Sequence, residues 1–238
     1  MMDLRAMDLH HEGADLVGQF ALPLSAGPQP AVLIFPNALG LGPHVRERAA
    51  VLADAGYVAL AVDMYGDGAL YSAAEDAGAA FTSLVDNPRL LRARANAWLD
   101  ALKARPEVDA GRVAAIGYCF GGLCVLELAR SGADAKVVVS YHGTLTTSEP
   151  AQPGAVKARV AVYTGGKDPY APLADVDALR DELTAAGAVF DITLFSEAQH
   201  SFTDPDAAAI GWPGIAYDEI ADRLSWAGTL ALLKAVLG

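Results

Sequence analysis

Cysteine is scarce in this chain: two residues among 238, Cys119 and Cys124. They cannot found a disulfide framework, because Cys119 falls on a predicted turn and Cys124 inside the helix that follows, so their side chains diverge. Cys124 reads as a small core residue. Basic residues are also few, 17 Lys and Arg against 29 Asp and Glu, for a formal charge of −12. With no basic patch to neutralise phosphates, nucleic acid and anionic membranes are excluded as partners. Long apolar runs are missing too. The uncharged stretch 113–126 is too short to span a bilayer and is interrupted by glycines. Residues 1–10 carry early acids and no long apolar core, which argues against a secretory signal and for a cytoplasmic protein. No repeat, charge block or linker divides the chain, so 1–238 are expected to form one domain.

What is present is apolar residue in quantity. Hydrophobic types make up 53% of the chain and charged ones only 19%, a balance suited to a broad buried sheet. The apolar runs 31–35, 57–62, 113–117, 135–141, 159–163 and 189–195 read as strands, with 17–24 as a first edge strand. Helical patterns alternate with them. One spans 44–55 and stops at Gly56, and another begins at Asn87-Pro88 and runs to Lys103. A third starts at Leu123, a fourth spans 173–186 and stops at Gly187, and a last one runs from about 212 to 237. Strand–helix alternation predicts an α/β fold, doubly wound, with a mostly parallel sheet and helices on both faces.

One junction stands out. The strand candidate ends at Gly117, the helix candidate starts at Leu123, and between them lies Gly117-Tyr-Cys-Phe-Gly-Gly122. Gly-x-Cys-x-Gly is the nucleophile-elbow pattern with cysteine in the usual place of serine. A nucleophile on so sharp a turn needs neighbours without Cβ atoms, and the helix that begins there aims free N–H groups at the thiol, which favours thiolate. Downstream, Asp168 follows one strand candidate and His200 follows another. Nucleophile, acid and histidine in that chain order, each past a strand's carboxyl end, make Cys119, Asp168 and His200 a candidate triad. An oxyanion hole would take the Phe120 N–H and one donor from the loop 35–40, of which Ala38 N–H is the choice.

The motifs Gly117-Tyr-Cys-Phe-Gly-Gly122, Gly165-x-x-Asp168-Pro169 and His200-Ser-Phe202, with Gly56-Tyr-Val-Ala-x-x-x-Asp63-x-Tyr65-Gly66 before them, resemble those of the dienelactone hydrolase family of α/β-hydrolases. The resemblance implies a Cys–His–Asp triad, no metal or organic cofactor, and hydrolysis of a small ester or lactone as the partner molecule. It also exposes departures. Well-known members place a glutamate in the early loop where Asn37 stands here, and asparagine cannot act as a base. They also hold a substrate carboxylate with arginines. The corresponding stretches, 71–78 and 201–206, contain none and are acidic. A neutral ester or lactone is the better expectation.

Other polar residues have milder readings. Asn37, Tyr118 and His142 are candidate substrate contacts, Tyr118 being equally suited to packing beside the turn. Asp63 suits a turn or capping role, and His10, His11 and His44 lack metal-ligand spacing and suit surface or capping positions. The small-residue segment 66–86 could cover the pocket as a flexible lid. Rival functions are a non-catalytic binding protein, an acyl transferase built on the same triad, and a redox-active thiol protein. Nothing in the sequence marks a dimer seam, so a monomer or weak homo-oligomer is expected.

Overall fold

The computed structural model describes residues 4–72 and 74–238; 1–3, part of the stretch read against a secretory signal, and 73, within the 66–86 segment, lie outside the described residues. Among the described residues eight strands form one sheet. They are β1 (Arg5–His11), β2 (Ala14–Ala21), β3 (Gln29–Phe35), β4 (Val58–Ala61), β5 (Val108–Tyr118), β6 (Val137–Tyr141), β7 (Arg159–Gly165) and β8 (Phe190–Phe195). Their spatial order is β1-β2-β4-β3-β5-β6-β7-β8. β1 and β2 are antiparallel additions at one edge, and β4, β3 and β5 to β8 all run parallel.

The expected edge strand 17–24 is displaced: β2 ends at Ala21, and the edge belongs to β1. β1 escapes a search for continuous apolar runs because it is an edge hairpin strand, with Met7 and Leu9 half-buried and Ala6, Asp8 and His10 facing solvent. The central strands behave as their composition predicts. In β3, Ala31, Leu33 and Phe35 point into one core and Val32 and Ile34 into the other. The period-2 alternation thus feeds two apolar layers.

Among the described residues six α-helices cover those layers: α1 (Pro43–Asp54), α2 (Ala74–Val85), α3 (Pro88–Lys103), α4 (Phe120–Arg130), α5 (Leu173–Ala185) and α6 (Glu219–Leu237). α3, α4 and α5 pack on one face, and α1 and α6 on the other. α4 is buried along its whole length, and its two charged residues are neutralised there. Arg130 bonds Glu127 at 2.9 Å and Glu182 of α5 at 2.8 Å, and Arg92 of α3 bonds Glu127 at 2.7 Å. The last helix starts later than 212. Pro213 and Gly214, the latter at φ +74°, keep that segment out of helix, and Asp218 caps α6 by accepting the Ile220 and Ala221 N–H groups at 3.0 Å.

Among the described residues no helix is long and apolar enough to cross a membrane. The 66–86 segment carries α2, and its earlier part is tied down by a bridge between Gly40 and Leu70. Asp63 plays the expected turn role. Buried, it accepts the backbone N–H groups of Val17, Tyr65, Gly66 and Gly68 at 2.8–3.1 Å and so fixes the loop after β4 to β2.

Candidate active site

Cys119 stands between β5 and α4 with φ 55° and ψ −114°, a conformation that side-chain-bearing residues rarely adopt. The surrounding glycines make the turn possible. A Cβ on Gly117 would overlap the Gly121 carbonyl, and one on Gly121 would overlap the Phe35 carbonyl at the end of β3. Gly122 and Gly143 lie against each other, so that a Cβ on Gly122 would stand 2.6 Å from the Gly143 Cα. The Cys119 N–H is held by the Tyr141 carbonyl at 3.0 Å and His142 Nδ1 at 3.2 Å. The neighbouring strand β6 thereby stabilises the strained residue.

His200 and Asp168 reach the same point from the next two strands. His200 Nδ1 bonds Asp168 Oδ2 at 2.8 Å, and both side chains are almost fully buried. Their loops interlock because Gly165 and Gly166 have no side chains. A Cβ on Gly165 would overlap the Ala198 carbonyl, and one on Gly166 would meet the Ser196 oxygen at 2.6 Å. Tyr170 N–H donates to Asp168 Oδ1 at 2.8 Å, and the Tyr170 ring stands edge-on to His200 with centroids 4.9 Å apart. The His200 backbone is pinned to the 214–216 segment, its N–H to the Gly214 oxygen at 2.9 Å and its oxygen to the Ala216 N–H at 3.1 Å.

The electrostatics couple sulfur and imidazole. Burial pushes the Cys119 thiol up, but the charge and hydrogen bond of His200, with the N–H groups of Phe120 and Ala38, overcome it and hold the thiol below its ordinary value. Burial likewise pushes His200 down, and the Cys119 sulfur with Asp168 overcomes that, raising His200 to about 10. The two directions agree: each partner favours the charged form of the other. Burial raises Cys124 well above the thiol range, so it stays inert. A thiolate exists above its own pKa, so lowering that pKa extends reactivity toward acid. Iodoacetamide is therefore expected to alkylate Cys119 and spare Cys124 at pH 6.5. His200→Ala should slow that reaction about ten-fold or more. A wild-type rate profile with a midpoint at the ordinary thiol value of about 8.5 would contradict the pair.

Cys119 and His200 open onto a cavity of about 250 Å³. Its floor is the elbow and the loop after β3, where Asn37 Oδ1 accepts the Leu39 N–H at 3.0 Å. Its walls include Ala77, Gly78 and Phe81 of α2, and Tyr170, Trp212 and Ile215. Among the described residues no charged Lys, Arg, Asp or Glu lines it.

Comparison with known proteins agrees with this fold. A crystal structure named as the dienelactone hydrolase-like promiscuous phosphotriesterase P91, from metagenomic libraries, superposes with a TM-score of 0.96 at 38% identity, covering 100% of this chain and 99% of that one. The family model of the dienelactone hydrolase family matches residues 16–237. The chain belongs to the dienelactone hydrolase family. Membership makes it an α/β-hydrolase of the carboxylic ester hydrolase class. An uncharacterized Caenorhabditis elegans protein is 39% identical over 146 residues, 60% of this chain and 92% of its own. A Bradyrhizobium protein named as a probable 2-oxo-3-(5-oxofuran-2-ylidene)propanoate lactonase is 26% identical over 239 residues, 96% of this chain and 92% of its own.

Within this dienelactone hydrolase fold, the structure brings together Cys119, His200, Asp168, Phe120, Ala38 and Asn37. Two expected substrate contacts are corrected. Tyr118 is buried on the opposite face of β5, stacked on Tyr141 at 4.7 Å, because neighbouring strand residues point to opposite sides. His142 is buried beneath the elbow, its Nε2 facing Thr203 Oγ1 at 2.8 Å. Since Nδ1 accepts from Cys119, the proton is assigned to Nε2, and burial pushes this imidazole well below its ordinary range. His44 is not a surface group either. It stands edge-on to Tyr118, and burial, followed by Arg48, lowers it to about 4.

Tyr65 was missed as a site residue. Its hydroxyl donates to the Ala38 oxygen at 3.1 Å and its ring stacks on Phe120, so it braces the two residues expected to supply the oxyanion-hole N–H groups. Its place in the Asp63-x-Tyr65-Gly66 motif was the available signal. The small-residue segment 66–86, expected to cover the pocket, supplies the α2 wall, whereas no sequence signal marked the 210–215 wall.

Proposed function

We propose that this enzyme hydrolyses small uncharged esters or lactones through a covalent acyl-thioester on Cys119. The observation that carries the proposal is that Cys119 on its strained elbow, the His200 imidazole held by Asp168 at 2.8 Å, Phe120 and Ala38 line one cavity with no Lys, Arg, Asp or Glu among its described lining residues. In this reading the Cys119 thiolate attacks the carbonyl carbon, and the oxygen, gaining the electron pair, takes the two N–H donors. Collapse expels the alcohol oxygen, which receives the proton of His200. Neutral His200 then takes a proton from water as the water attacks the thioester, and collapse returns the acid and the thiolate–imidazolium pair. Asp168 holds Nδ1–H throughout and offsets the imidazolium charge.

Asn37 fits this scheme as a loop-shaping residue. Its Oδ1 is engaged by Leu39 N–H, which helps present the Ala38 N–H, and thiolate formation is assigned to His200 rather than to a loop carboxylate. The uncharged walls also suit a neutral phosphotriester, the class named for the similar metagenomic enzyme, whose phosphoryl oxygen could take the same donors.

The test is intact-mass spectrometry with p-nitrophenyl acetate, run beside steady-state release of p-nitrophenol. An acetyl adduct that maps to Cys119 and clears is the expected result. An adduct that persists would favour transfer to an acceptor other than water, and no adduct with any ester would return weight to a binding or redox role. A phosphotriester run in parallel should give a Cys119 phosphoryl adduct if the second substrate class applies.

A further inference from the structure

We infer that Gly78 on α2 sets which acyl groups the enzyme accepts, and that its preferred substrates are esters of an apolar acid larger than acetic, with a branched or aromatic side group. The inference rests on the thiol-ester reading above and deepens it.

Glycine inside a helix weakens that helix relative to alanine, so an interior glycine calls for a reason. The glycines of the elbow have one, since a Cβ at Gly117 or Gly121 would overlap backbone. Gly78 does not share it. It sits mid-helix in α2 with no positive φ, and a Cβ there would meet nothing within 4 Å among the described residues. Neither backbone conformation nor close packing demands a missing side chain. What the missing side chain leaves is space, and that space belongs to the cavity above Cys119, which Gly78 lines.

The chemistry says which part of the substrate lies there. The carbonyl oxygen must face the Phe120 and Ala38 N–H groups, and the leaving oxygen must lie against His200 to receive its proton. His200 belongs to the Tyr170 end of the cavity, through its ring contact with Tyr170 and its backbone bonds to the 214–216 segment. α2 enters the cavity beside Phe120 of the elbow, with Phe81 edge-on to Phe120 at 5.4 Å. With the leaving group at the His200 end and the oxygen on the N–H groups, the remaining substituent of the carbonyl carbon points toward α2. The residues waiting there are Ala77, Gly78, Phe81 and Leu39, all apolar or without a side chain. Such a wall takes hydrocarbon.

The experiment compares wild type, Gly78→Ala and Gly78→Leu on p-nitrophenyl acetate and p-nitrophenyl phenylacetate, each rate divided by its uncatalysed value. The ratio of kcat/KM for phenylacetate to that for acetate is expected to fall in Gly78→Ala and to fall about ten-fold or more in Gly78→Leu. The thermal midpoint of Gly78→Ala should stay at or above that of wild type, because alanine is the better helix former. Equal losses on both esters would overturn the inference, as would an unchanged ratio, while leaving Cys119 chemistry intact. Absence of a Cys119 adduct in wild type with either ester would overturn the parent reading as well, and it is seen before any variant is made.

Discussion

Replacing Cys119 by alanine is expected to remove ester turnover, a loss of about 10⁴-fold or more in kcat/KM, and His200→Ala to cost nearly as much. The two act on one bond-forming step. In the proposed mechanism the thiolate supplies the electron pair, and the imidazolium both stabilises that thiolate and protonates the leaving oxygen. Removing either partner leaves the other without a task, so the double variant should be scarcely worse than each single one. Residual activity should come from the Phe120 and Ala38 N–H groups, which the substitutions spare. Asp168→Asn should fall in the same direction by a smaller factor, since it keeps a hydrogen-bonding side chain beside Nδ1 but loses the charge. Cys119→Ser keeps the shape of the elbow and controls for misfolding, with circular dichroism expected to match wild type. A Cys119→Ala protein that retains more than a tenth of wild-type turnover would assign the activity to another nucleophile.

The second large effect concerns stability rather than chemistry. Gly121→Ala is expected to lower the thermal midpoint by about 10 °C or more, or to prevent folding. The added methyl would land on the carbonyl of Phe35, a backbone atom of β3 whose neighbouring residues are hydrogen-bonded to β4 and β5, so neither side can yield cheaply. Gly111→Ala is the matched control. Its Cβ would meet only the Asp109 side chain, at 3.3 Å, and its φ is not positive. That variant should unfold within about 2 °C of wild type, being a surface change without such a clash. If both variants behave alike, the close approach of α4 to β3 is not what requires glycine at the elbow.

Much of this arrangement is legible before any coordinates. Ala31 to Phe35 and Val113 to Gly117 are apolar without interruption, and only a strand covered on both faces has that composition, so the parallel centre of the sheet follows. The elbow is equally local. Glycines at 117, 121 and 122 around one cysteine encode a turn that no other residue types could make, and the two downstream loops carry Asp168 and His200 in the order such a turn requires. β1 was not recovered, because half-exposed alternation in an edge hairpin is a weaker signal than a buried run. The late start of α6 was not recovered either, although Pro213-Gly214 marks it in hindsight.

The sequence by itself therefore determined the class of fold and singled out Cys119, Asp168 and His200 as the candidate site, because those depend on short-range rules: period, turn sterics and chain order. Only the tertiary structure decided which side chains share a cavity. Tyr118 and Cys119 are adjacent in sequence yet face different layers, and His142 supports the elbow backbone instead of reaching substrate. Gly78 and Trp212, far apart in the chain, line one pocket. The physical reason is that direction and proximity across a sheet are set by strand order and pleat. They are properties of many residues at once, and no single segment carries them.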